Sequence, residues 1–160
     1  MSQSGLSTVC LVVFYALLCC YTTAHKGVLA EDFMAKEARK QNLPIKLLLT
    51  VQRLETGHLS SANRRLAVSR CGAIGTMQIM PYHAKSFGYK VVDLYNEEIN
   101  VRVASYLLKE RWKKYNGNVE KVLASYNGGG KQASLLQKNR CFETRNYVVK
   151  GLKFYYSCKF

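Results

Sequence analysis

"PIKLLLTVQRLETGH", residues 44–58, decides how the rest of the chain is read. Pro44 suits the first turn of a helix, where a missing N–H costs nothing, and Gly57 suits its C-terminal stop. Glu55 therefore falls in the last turn of an apolar, basic helix, and it is the one carboxylate between Ala38 and Val92. There it faces the negative end of the helix dipole. Where Leu54 and Leu59 also exclude water, both effects favour the protonated acid. A carboxyl group so placed suits general acid catalysis near neutral pH. The plain alternative is a solvated side chain beside Arg53, Arg64 or Arg65, and the stretch by itself leaves both readings open.

The flanking segments extend the helical pattern. Residues 31–41, "EDFMAKEARKQ", begin with acids and end with bases, as a helix dipole prefers. Between Gly57 and Pro81, "HLSSANRRLAVSRCGAIG" has no long period and reads as an irregular loop. Pro81 opens a short helix closed near Gly88, and Asn96 with Glu97 and Glu98 starts a longer one. Ile99, Val103, Tyr106 and Leu107 form the apolar stripe of that helix before Gly117 stops it. Asn118 caps a short helix through Tyr126 that ends in "NGGG". In "ETRNYVVKGLKFYY", Tyr147, Val148, Leu152 and Tyr155 share one stripe. No strand-period alternation of useful length and no repeat is present, so the fold class is mainly α.

A chain of 160 residues with 48% hydrophobic side chains can bury one real core, and one domain over residues 25–160 is expected. Lys and Arg number 24 against 10 Asp and Glu, a formal charge of +14 that favours an anionic partner: nucleic acid, a membrane surface or an acidic wall polymer. Residues 1–24 carry no charged side chain. Their apolar run Val9 to Tyr21 is shorter than the ~20 residues of a membrane span, and Thr22 and Ala24 suit a cleavage site. A signal peptide over 1–24 is expected, hence export to the periplasm or the extracellular space; an uncleaved anchor or a lipidated Cys19 or Cys20 is the alternative. Cleavage leaves Cys71, Cys141 and Cys158, for which one disulfide and one odd thiol is the simplest arrangement. Cys141 and Cys158 flank a helix whose ends lie about 20 Å apart, so Cys71 is the easier partner for either. Three unpaired thiols are the other arrangement.

Several chemistries lack their residues. "ETGH" is an E-x-x-H pair, but a di-iron site needs a second one, and neither His nor Cys shows zinc spacing, so no metal or other cofactor is expected. No G-x-S-x-G turn is present, and "NGGGK" lacks the Walker spacing. Two other places draw notice. In "GAIGTMQIMP", residues 72–81, Gln78 stands alone among Met77, Ile79 and Met80; a buried amide there needs a partner, such as a sugar hydroxyl or acetamido group. In "SYNGGG", residues 125–130, Tyr126 and Asn127 precede three glycines that permit close backbone approach.

The ordered set "ETG", "SRCGAIGTMQIMP", "DLYNEEINVRVASYLLKERWKKYNGNVEKVLASYNGG" and "ETRNYV" resembles the lysozyme-like lytic transglycosylase domain of the soluble (family 1) type, over about residues 44–150. The resemblance implies a lysozyme-like helical fold with a cleft for peptidoglycan glycan strands, and Glu55 as the catalytic acid and base. It further implies that Ser69, Met77, Gln78 and Met80 line the cleft. Tyr126 would hold the catalytic carboxyl group, Asn127 support that loop, and Glu143 and Tyr147 complete the saccharide wall. Thr56 stands where the family usually has Ser, Thr76 where it has Leu, and Ser125 where it has Ala.

Isolation of Glu55 then acquires a meaning. Hydrolytic glycosidases generally use two carboxyl groups. A transglycosylase needs one, because the muramoyl 6-hydroxyl of the substrate closes a 1,6-anhydro ring. Three other readings are weighed: a goose-type lysozyme-like hydrolase recruiting Asp93, a non-catalytic wall-binding protein of a secretion, conjugation or pilus apparatus, and a nucleic-acid binder. The leader and the lack of any nucleic-acid motif argue against the last, so nucleic acid is not an expected partner, and a monomer is expected.

Overall fold

The computed structural model describes residues 33–135 and 142–157. The expected leader, Cys141 and Cys158 lie outside them. From Met34 onward the chain forms one compact unit. Its elements are α1 (residues 33–41), α2 (Ile45–Thr56), a single turn α3 (Ser61–Arg64), α4 (Pro81–Ser86), a 3-10 turn (Val91–Tyr95), α5 (Glu97–Lys114), α6 (Val119–Leu135) and α7 (Phe142–Ser157). The mainly α reading therefore stands.

The central helix is α5, and its ends are those its sequence announces. Asn96 Oδ1 accepts from the Ile99 N–H at 3.1 Å, Glu97 and Glu98 occupy the first turn, and Arg111, Lys113 and Lys114 the last. One face, Val101, Val103, Ala104, Leu107 and Leu108, is buried with Leu47, Leu48 and Val51 of α2 and Val122 and Leu123 of α6. α7 closes the core, packing on both α6 and α2 with Val148 innermost. On the opposite side, Arg102 reaches Glu37 of α1 at 3.3 Å and Glu98 at 2.8 Å, tying α1 to the central helix.

Three local expectations are revised. Pro44 precedes α2 as its cap residue in extended backbone, so the helix begins one residue later. The helix that starts after Asn118 does break at the expected glycines, where Gly129 adopts φ 78° and ψ 177°, a conformation that only glycine enters freely, but helix resumes beyond it to Leu135. Finally, the 57–80 segment is less irregular than its pattern: Val68, Ile74 and Ile79 form antiparallel bridges too short to leave a strand signal. Among the described residues no helix is long and apolar enough to cross a membrane.

Candidate active site

Glu55 sits in the last turn of α2 and is half-buried. Its Oε1 accepts from the Tyr147 hydroxyl of α7 at 2.7 Å. Two close approaches make this contact possible. A Cβ on Gly151, one turn beyond Tyr147, would come within 2.7 Å of Leu123 and 3.0 Å of Leu54, so glycine there lets α7 lie against α2 and α6. Burial raises the Glu55 carboxyl from an ordinary 4.5 to about 7; the Tyr147 hydroxyl, donating to the carboxylate, opposes part of that rise. Arg53 and Arg64 do not neutralise it: the Arg53 guanidinium lies 4.3 Å from the centroid of Phe154, and Arg64 Nε donates to the Leu59 carbonyl at 3.0 Å.

The glycine-bearing loop is pinned from below. Buried Thr56, next to Glu55, donates to the Thr76 carbonyl at 2.7 Å, and the Thr76 hydroxyl donates to Glu97 at 3.2 Å. Asn100 of α5 is fully buried and fully satisfied. Its amide nitrogen donates to the Ile74 and Leu94 carbonyls at 2.9 Å each, and its oxygen accepts from the Met77 N–H at 2.8 Å. This anchorage holds Gln78 at φ 50°, the left-handed region that non-glycine residues seldom enter. The Gln78 amide nitrogen then donates to Gly75 at 2.9 Å and Ala67 at 3.4 Å, so only its oxygen is left for a ligand.

Tyr126 joins the loop to α6 by donating to the Met77 carbonyl at 2.8 Å. Burial first, then the nearby Glu55 carboxylate, raises the Tyr126 phenol, and the same causes in the same order raise Tyr147. Beside them opens a cavity of about 310 Å³, lined by Gln78, Met80, Tyr82, His83, Arg111 and Tyr126 with the glycine-rich end of α6. Tyr126 is thus shared between the cavity and the surroundings of Glu55.

The structure therefore places Gln78, Met80 and Tyr126 on one cavity and pairs Glu55 with Tyr147 outside its lining, Tyr126 being near both, and it distributes the roles differently from the expectation. The phenol that holds Glu55 is Tyr147, while Tyr126 holds the loop. The Met77 side chain is fully buried and only its backbone reaches the site. Ser69 Oγ accepts from the Ala73 N–H at 3.0 Å and shapes the turn before the cleft. Asn127 lines the cavity and accepts from Thr144 at 3.0 Å, which ties the end of α6 to α7; Glu143, beside Thr144, is exposed. Asp93, the alternative second acid, accepts from the Lys90 N–H at 2.8 Å and caps the 3-10 turn. Cys71 is exposed and unbridged, against the expectation that it is the easier disulfide partner. Asn100, Arg111 and Gly151 are the residues that the pattern did not single out.

Comparison with known proteins gives the fold a family profile and solved counterparts. The profile of the transglycosylase SLT domain matches residues 32–148. A protein of Enterobacteria phage PRD1 described as "Transglycosylase" is 38% identical over 94 residues, which cover 59% of this chain and 32% of that protein. Two solved structures superpose with a TM-score of 0.65 over 78% of this chain. One is an inactive glutamate-to-glutamine mutant of the lytic transglycosylase Slt from Pseudomonas aeruginosa, 24% identical; the other is the 70 kDa soluble lytic transglycosylase of Escherichia coli, 25% identical. The chain spans about a third of the length of the phage relative and 23% of each solved chain.

Proposed function

The chain belongs to the transglycosylase SLT domain family, and from that premise we propose that it is a peptidoglycan lytic transglycosylase. It cleaves the β-1,4 bond between N-acetylmuramic acid and N-acetylglucosamine and leaves a 1,6-anhydromuramoyl end. The observation that carries this reading is the Glu55 carboxyl group, raised to about 7 by burial and held by one phenol at 2.7 Å. No carboxylate among the described residues contributes to that rise.

A group of this kind can serve twice. Protonated, Glu55 gives its proton to the glycosidic oxygen as the anomeric C–O bond breaks, and N-acetylglucosamine leaves with that proton. The substrate's 2-acetamido group stabilises the cationic anomeric centre. The carboxylate now left on Glu55 keeps the Tyr147 hydrogen bond, which favours the ionised form. It then takes the proton of the muramoyl 6-hydroxyl as that oxygen bonds to the anomeric carbon. One bond breaks, one forms, Glu55 regains its proton, and no water is consumed.

Gln78 and Met80 line the saccharide cleft, Tyr126 and Asn127 fix its floor through the Met77 carbonyl and Thr144, and Ser69 shapes the loop. Exposed Glu143, with Tyr147, would complete the saccharide wall. The leader over 1–24 would deliver a monomeric domain, residues 25–160, to the periplasm or the cell exterior, where it meets glycan strands directly or within a secretion, conjugation or pilus apparatus.

Glu55→Gln tests the assignment. Digests of purified sacculi with the wild type should contain anhydromuropeptides by mass spectrometry, and those of the variant none. Retained release by the variant would sink the role of Glu55. Wild-type products ending in reducing muramic acid would make the enzyme a hydrolase instead.

A further inference from the structure

Ring closure has no need of a fixed positive charge, yet the cavity beside Tyr126 contains one. Arg111 projects from α5 with its guanidinium 5.6 Å from the Tyr126 ring centroid. Of its five N–H donors, the one hydrogen-bonded among the described residues is on Nη1, which reaches the Leu107 carbonyl of its own helix at 2.9 Å. Its Nε is buried without a partner. Among the described residues it has no ion pair, whereas Arg102 on the same helix has two. A partly enclosed guanidinium with spare donors and no counter-ion is incompletely satisfied, and an anion is the ligand that completes it.

His83 and Tyr82 of α4 stand across the same cavity. Burial, and then Arg111, lower the His83 pKa against a smaller opposing effect of Glu110, so the imidazole is neutral at pH 7 and adds a donor without a second charge. Tyr82 is 59% exposed and leaves an apolar ring at the rim. We propose that this cavity is a carboxylate subsite for the peptide stem of the glycan strand, with Arg111 as its principal ligand and His83 and Tyr82 as its walls. The proposal rests on the peptidoglycan reading above. The sugar rings present hydroxyl and acetamido groups, which are neutral; the free carboxylates of a stem-bearing strand lie on its peptide branches. The cavity of about 310 Å³ is continuous with the Gln78 and Met80 wall of the cleft, so a branch seated beside Arg111 stays next to the glycan that bears it.

The subsite is tested by binding, separately from turnover. Glu55→Gln holds soluble stem-bearing strands without the assigned acid, and their Kd is measured by calorimetry before and after the stem carboxylates are amidated. Amidation should weaken binding about tenfold. Glu55→Gln with Arg111→Gln should bind both forms alike, and Arg111→Lys in the same background should keep part of the preference. Strands stripped of phosphodiester-linked polymer with hydrofluoric acid should bind as before. Equal affinity of Glu55→Gln for native and amidated strands, or no binding of either, overturns the subsite, and this arm needs no change at Arg111. Loss of affinity on removing phosphate, with none on amidation, overturns the stem assignment. Anhydro-product release by the wild type is read on the same strands, so a failed reaction and a failed subsite give different results.

Discussion

Two opposed influences set the proton of Glu55: burial, which favours the neutral acid, and the Tyr147 hydroxyl, which favours the carboxylate. Burial wins, and the acid half of the reaction should fade as pH rises through about 7. Tyr147→Phe removes the opposing bond, so the alkaline limb of the pH–rate profile should move upward while the rate falls several-fold. A limb that stays in place would remove Tyr147 from the tuning of Glu55. Stability follows the same proton. The folded carboxyl holds it more tightly than the unfolded chain between pH 4.5 and about 7, so the contribution of Glu55 to stability declines across that window and stays low above it. Glu55→Gln should accordingly gain on the wild type in thermal melts at pH 8 and not at pH 4. At this scale the acid itself was legible, because its isolation and its place at a helix end are local facts. Which tyrosine touches it was not, since Tyr126 and Tyr147 differ only in how α6 and α7 pack.

Among the elements, α7 carries the heaviest geometric demand. Its approach to α2 leaves no room for more than a methyl group at Gly151, facing Leu54 and Leu123. Gly151→Ala meets only the movable ends of two leucines and gains helix propensity, so it should be near neutral in stability. Gly151→Val should cost about 1–3 kcal/mol by overpacking and lower activity further by parting Tyr147 from Glu55; calorimetry and product release check both. Helix limits were readable wherever a cap is local, as at Asn96 and Asn118, whose side chains accept from N–H groups three residues on. Gly151 and Asn100 escaped notice because nothing nearby in sequence marks them. A mid-helix glycine is ordinarily a small cost and an asparagine in a helix's first turn a solvated face, until α2 or the 74–77 loop is laid against them. The short pairing of Val68, Ile74 and Ile79 was hidden for a different reason: bridges this brief contain no period to detect.

Across the whole molecule the excess of 24 basic over 10 acidic side chains makes attraction to an anionic wall a long-range matter. Cosedimentation with sacculi should therefore weaken several-fold between low and physiological salt, as the screening length contracts to about 8 Å. A preference for charged stems, acting at contact distance in the cavity, should survive that screening better than overall binding does. Binding that ignores salt would assign adhesion to short-range contacts alone. The pair at the heart of the site has a further property: Glu55 and Tyr147 are 92 residues apart in the chain. Contacts of such sequence separation form late, after the loops between them have closed. A nascent or clipped chain that lacks α7 has the acid but neither its phenol nor the helix that encloses it. Under the proposed function, packing of α7 is therefore the step that arms Glu55.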